Sequence, residues 1–96
     1  SGDIKKYVAW KDGKLVFDNS PLSWVAKRLS QIYNVDINMS EKIKDYTLTV
    51  TFVDESLSQI LDLMTIAAPV EYKSIPRKKL PDGTFSKQKI IIESRD

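Results

Sequence analysis

Laid over itself at an offset of 35 residues, the chain reproduces its own apolar pattern. Phe17 falls on Phe52, Leu22 on Leu57, Ser23 on Ser58, Val25 on Ile60, Ala26 on Leu61, Leu29 on Met64, Val35 on Val70 and Ile37 on Tyr72. Each copy reads as strand, helix, strand, and each is too small to bury its own apolar face. The two copies must therefore close on one another. The expectation is an α+β fold: two βαβ pseudo-repeats sharing one small mixed sheet, with two helices on one face.

Local chemistry sets the elements within each copy. "NSPLSWVAKRLSQIY" places Leu22, Val25, Ala26, Leu29, Ile32 and Tyr33 on one helical stripe, because steps of three and four return to the same face at about 100° per residue. Asn19 or Ser20 is placed to cap this helix, Pro21 suits its first turn, and Asn34 ends it. "VDINM" and "YTLTVTFV" alternate apolar with polar residues and read as strands with one buried face, the second with Leu48, Val50 and Phe52 inward. A second helical stripe holds Leu57, Ile60, Leu61, Met64, Ala67 and Ala68, with Asp54 or Glu55 at its positive end and Pro69 as its stop. Two further strands flank Pro81-Asp82-Gly83, so a β-hairpin closes the fold. Upstream, Tyr7 to Trp10 and Leu15 to Phe17 flank the turn pair Asp12-Gly13 and suggest a small hairpin or an entry segment.

Composition removes whole classes of function. The 96 residues contain no cysteine and no histidine, so thiolate and imidazole chemistry are absent, as is any disulfide. The carboxylate pairs Asp54/Glu55 and Glu41/Asp45 lack the dense oxygen-ligand spacing of a calcium loop and read as solvated surface. Serines are plentiful, yet none sits in a Ser-x-x-Lys or nucleophile-elbow arrangement. No catalytic, cofactor or metal site is expected, and the chain is not read as an enzyme. No apolar run reaches the ~20 residues of a membrane span. Ser1-Gly2 looks like a protease scar, which divides the chain into a leading segment, residues 1–6, and a single domain, residues 7–96.

Charge is uneven. Residues 71 to 96 carry seven basic and four acidic side chains, against eight and nine in residues 1 to 70. Lys73, Arg77, Lys78, Lys79, Lys87 and Lys89 flank the closing turn, where they read as solubilising charges on an exposed hairpin. Nucleic-acid binding through that hairpin is the distant alternative; no aromatic stacking pair accompanies the cations.

One residue breaks the helical pattern. Trp24 points away from the apolar stripe of the first helix and aligns, at offset 35, with polar Gln59. It shares that outer face with Lys27, Arg28 and Gln31. Tryptophan and arginine are enriched at binding hot spots, which makes Trp24, Lys27, Arg28 and Gln31 the candidate partner-binding residues. The competing reading folds Trp24 onto neighbouring apolar stems or against the N-terminal segment. An exposed sheet edge is a second candidate surface, on which a partner could add a strand.

The ordered set Trp10, Gly13, Leu15, Phe17, Asn19, Pro21, Leu22, then Tyr33, Asn34, Val35, Ile37, then Ser56, Leu57, Ile60, Leu61, then Tyr72, Asp82, Gly83 and Ile90 to Ile92 resembles the C-terminal periplasmic domain of FecR-type anti-sigma regulators from Bacteroidetes. That domain is similar in fold to the short N-terminal domain of secretins and TonB-dependent receptors. The resemblance implies a relay. A TonB-dependent outer-membrane transducer would engage this domain through its signalling domain, and the regulator, a single-pass inner-membrane protein, would control an extracytoplasmic-function sigma factor through a cytoplasmic segment not contained in this sequence. The upstream periplasmic domain of the same regulator is a second implied partner. A transducer's own signalling domain, or a secretin's, is the alternative with the same fold.

Overall fold

A computed structural model describes residues 14–95. The proposed strand at Tyr7 to Trp10, the turn Asp12-Gly13 and the leading segment 1–6 lie outside the described residues. The order is β1 (Lys14–Pro21), α1 (Leu22–Tyr33), β2 (Asp36–Met39), β3 (Thr47–Val53), α2 (Leu57–Ala67), β4 (Val70–Ile75) and β5 (Lys89–Ser94).

The repeat is visible in the backbone pairing. β1 and β3 run antiparallel, with Leu15 opposite Phe52, Val16 opposite Thr51 and Phe17 opposite Val50. Val16 thus faces Thr51, its own equivalent at offset 35, so exchanging the two copies leaves this register unchanged. A local two-fold axis passes through that pair. Asn19 and Asp54, also equivalent at offset 35, both adopt φ 52°, a left-handed kink that short polar side chains tolerate better than β-branched ones. Each kink turns its strand towards the helix that follows. Asn19 is therefore a bend rather than the helix cap expected of it, and Asp54 is its counterpart in the second copy.

The caps lie two residues further on and differ between the copies. Ser56 caps α2 in a capping box: its Oγ accepts from the Gln59 amide at 3.2 Å, and its own amide donates to Gln59 Oε1 at 2.8 Å. At the equivalent position of α1 stands Pro21, which offers no side-chain cap. Instead the Leu22 amide donates to the Tyr46 carbonyl at 2.7 Å and the Ser23 amide to the Lys44 carbonyl at 3.1 Å. The loop between β2 and β3 supplies these acceptors and is held down by Ile43, which is fully buried. Ser20, the other expected cap, is buried in β1 opposite Leu48, and its hydroxyl has no hydrogen-bond partner among the described residues. Ser56→Ala should cost about 1 kcal/mol of stability in a urea titration, whereas Asn19→Gly, which keeps the left-handed bend, should leave the midpoint nearly unchanged.

Sheet arrangement is where the expectation changes. The strands divide between two sheets instead of sharing one: β1 with β3, and the order β2-β5-β4. β5 lies outside the repeat and occupies the place between its two second strands, parallel to β2 and antiparallel to β4. Each helix connects one sheet to the other, α1 contacting β1, β3 and β2, and α2 contacting β3 and β4. The core fills the space between the sheets: Leu15, Phe17, Leu48 and Phe52 from one, Val70, Ile90 and Ile92 from the other, with Leu22, Val25, Leu29, Ile60, Leu61 and Met64 from the helices. The α+β class, the two pseudo-repeats and the closing hairpin all stand. Asn34 ends α1 in the left-handed conformation, φ 55° and ψ 52°, as its sequence position suggests.

Candidate functional site

The outer face of α1 places three of the four candidate residues together. The Arg28 guanidinium lies over the Trp24 ring at 5.9 Å from its centroid, and Arg28 Nη1 donates to Gln31 Oε1 at 2.8 Å. A cation against an aromatic face is attracted by the ring quadrupole, so the two side chains hold each other in place. Trp24 is half-buried and its inner side packs against the core cluster. One side thus rests on apolar neighbours, as the competing reading has it, and Arg28 lies over its ring. Arg28 Nε is buried with no hydrogen-bond partner among the described residues. Lys27 stands apart, its side chain exposed and its carbonyl accepting from Ser30 Oγ at 2.7 Å. A shallow groove of about 480 Å³ begins beside this cluster, between Gln31, Asn34 and the start of β2.

α2 presents a different outer face. Leu63 and Ile66, which correspond to Arg28 and Gln31 at offset 35, are 38% and 80% exposed. Sequence reasoning passed over them because they extend an apolar helix whose core stripe is already complete. Asp62 accepts from the Tyr72 hydroxyl at 2.5 Å, tying α2 to β4 and raising the tyrosine above its ordinary value, through that bond first and burial second.

The β4–β5 connection forms an arm that continues past the sheet. Lys79 pairs with Phe85, Ser86 donates its amide to the Lys78 carbonyl at 2.8 Å, and Leu80 donates to Thr84 at 2.7 Å. Gly83 sits at φ 89°, a conformation that favours a residue without a side chain. Asp82 Oδ1 accepts from both the amide and the hydroxyl of Thr84, at 2.9 and 2.6 Å. The Thr84 hydroxyl, then its amide, holds the Asp82 carboxyl below its ordinary value of 3.8. A lowered folded value means the contribution is present above that ordinary value and is lost as pH falls through the lowered one. In an NMR titration the Thr84 amide shift should move with a midpoint below 3.8, and Asp82→Asn should abolish the transition.

Among the described residues no group of three or more Asp and Glu side chains is placed to hold a metal ion. Glu41 is instead paired with Lys44 at 2.9 Å, and the Glu55 carboxylate accepts from the Val53 amide. No helix among the described residues is long and apolar enough to cross a membrane.

The protein-family model for "FecR, C-terminal" matches residues 14–80, from β1 into the arm. The chain belongs to the FecR C-terminal family. No curated protein matches it. Two crystal structures of a candidate anti-sigma factor from Parabacteroides distasonis ATCC 8503 share the fold of this FecR C-terminal domain, with TM-scores of 0.72 and 0.71 over 96% of the chain, at 22% and 20% identity. The FecR C-terminal domain spans 39% and 38% of those chains. Of the residues that carry the sequence resemblance, Leu15, Phe17, Leu22, Leu57, Ile60, Leu61, Ile90 and Ile92 are core or packed against it, so they serve the fold.

Proposed function

We propose that this domain is the periplasmic receiving end of a transmembrane anti-sigma regulator. The signalling domain of a TonB-dependent outer-membrane transducer docks on it. The regulator crosses the inner membrane once, and its cytoplasmic segment controls an extracytoplasmic-function sigma factor. The domain works by binding and not by catalysis, and the upstream periplasmic domain of the same regulator is its neighbour within the chain. The family match over residues 14–80 carries this reading. The surface offered to the partner is the outer face of α1, where Trp24, Arg28 and Gln31 form one linked cluster with Lys27 beside it. A large aromatic side chain already held by its own arginine loses little freedom on binding, which favours affinity.

The test is a titration with the signalling domain of the transducer encoded beside this chain, followed by tryptophan fluorescence in a Trp10→Phe background and by calorimetry for the variants. Saturable binding is expected, with Trp24→Ala weakening it by about 1 kcal/mol or more, a five- to tenfold rise in Kd. Lys27→Glu, on an exposed side chain, should weaken it by a smaller amount. Absence of binding at high micromolar concentration contradicts the relay.

A further inference from the structure

The arm between β4 and β5 has more structure and more charge than a solubilising turn requires. Between residues 76 and 89 it carries five cations, Arg77, Lys78, Lys79, Lys87 and Lys89, against the single carboxylate of Asp82. That carboxylate is already engaged by Thr84. The ion pairs among the described residues, Glu41–Lys44 and Lys73–Glu93, include none of the five. Asp36, opposite Lys89 in the β2–β5 register, is the carboxylate of the sheet beside them, so positive charge remains in excess on the arm.

Apolar surface accompanies the charge. Phe85 is 55% exposed, Leu80 39% and Ile75 38%. The Arg77 guanidinium lies over the Phe85 ring at 5.4 Å and its Nε donates to the Ser86 carbonyl at 3.3 Å. At the foot of the arm, Gln88 Nε2 donates to Ser74 Oγ at 2.8 Å and fixes the arm to the sheet. There Phe85, Arg77, Lys87 and Gln88 face Tyr33 and Asn34, at the end of α1, across a groove of about 460 Å³. The Tyr33 hydroxyl donates to the Glu55 carbonyl at 3.0 Å, so the helix side of the groove is anchored as well. Both walls are set before anything binds, which reduces the ordering cost of association.

We propose that the arm and the groove at its foot form a second docking site, for an acidic extended segment of a partner protein that carries an apolar side chain among its carboxylates. The carboxylates meet Arg77, Lys78 and Lys87, and the apolar side chain packs on Phe85 in the groove. Charge complementarity selects the partner, since unpaired cations on a rigid support attract carboxylates at long range and orient them on arrival. The mixture of aromatic, aliphatic and cationic groups favours a polypeptide over a nucleic acid, because Phe85 is the one exposed aromatic of the arm and Tyr33 across the groove is half-buried, which gives successive bases no stacking platform. This site lies beyond the α1 face and rests on the reading of the chain as a protein-docking domain.

The experiment uses three probes: the neighbouring transducer's signalling domain, a short synthetic peptide alternating Glu and Asp with Phe and Leu, with its Gln and Asn counterpart as control, and a short oligothymidylate. Each is titrated into the wild-type chain, into Lys78→Glu/Lys87→Glu, and into Phe85→Ser, all of which change exposed side chains and should keep the wild-type circular dichroism. The acidic peptide should bind where its neutral counterpart does not. Its affinity should fall about tenfold or more in the double variant, and on raising salt from about 0.05 M to about 0.5 M. Phe85→Ser should weaken it as well. Equal binding of acidic and neutral peptides, indifference to the charge reversal, or tighter binding of the oligonucleotide overturns the inference. If the signalling domain binds but ignores the arm variants while the acidic peptide fails, the relay stands and this site does not. If the peptide binds through the arm and the signalling domain does not bind, the site stands and the relay does not.

Discussion

Phe52→Ala should lower the unfolding free energy by about 3–5 kcal/mol, a large share of the roughly 5–15 kcal/mol available to a small domain. Phe52 is 1% exposed and sits edge-on to Phe17, their centroids 6.2 Å apart and their planes at 71°. The two rings are equivalents in the repeat, brought together by the antiparallel pairing of β1 with β3 about Val16 and Thr51. Truncating one ring leaves a cavity where the two copies meet, and helices anchored at both ends by short connections have little room to collapse into it. Phe17→Ala should cost about the same. The double variant should lose less than the sum, by about 0.5–1.5 kcal/mol, because the ring-ring contact can be removed only once. Urea unfolding followed by circular dichroism reads all three. A loss below about 1 kcal/mol for either single variant would show that the two copies are not joined through this pair.

Ile91→Pro should abolish the native fold. β5 is paired on both sides, Ile91 standing opposite Asn38 in β2 and Lys73 in β4. A proline there deletes a ladder donor and forces its ring into a strand with no free edge, which costs about 3 kcal/mol or more. Its neighbours Ile90 and Ile92 cover one side of the core, so separation of the strands would expose them together with Val70. Ile91→Val, which keeps the amide, should cost less than about 1 kcal/mol because this side chain is only half-buried. Amide exchange separates the outcomes: protection lost throughout the domain for the proline variant, and retained for valine. Protection kept in β1 and β3 alone would mean that the two sheets fold independently.

Both effects depend on features that differ in how openly the sequence displays them. The helices, the alternating β3, the closing turn and the 35-residue repeat follow from apolar spacing and from Asn, Pro and Gly at their proper places. Sheet membership did not, because spacing identifies a strand and the face it buries while saying nothing about which edge pairs with which. β5 belongs to neither repeat, and its insertion between β2 and β4 is a long-range choice. Capping at α1 was illegible for a similar reason: Pro21 hides a cap supplied by backbone carbonyls of Lys44 and Tyr46. Ile43, which anchors that loop, is a lone apolar residue in a charged run and carries no periodic signal. Asn19 and Asp54 have side chains suited equally to a cap and to a left-handed bend, and only the backbone distinguishes the two.

The candidate site divides the same way. Trp24 was conspicuous as an aromatic off the apolar stripe, and Arg28 and Gln31 followed from helical spacing. Their linkage, with the guanidinium over the ring, required coordinates. The cations of the arm were legible as charge, while their rigid support was not, because it depends on pairings such as Gln88 with Ser74 and Asp82 with Thr84.

The proposed role of this fold is to present a surface to another protein domain. Its most direct test is a hydrogen-exchange footprint of the chain with and without the neighbouring transducer's signalling domain at saturating concentration. Added protection is expected on α1 and on the arm between β4 and β5, with the interior strand β5 unchanged. An exchange pattern that is the same with and without the signalling domain would contradict it.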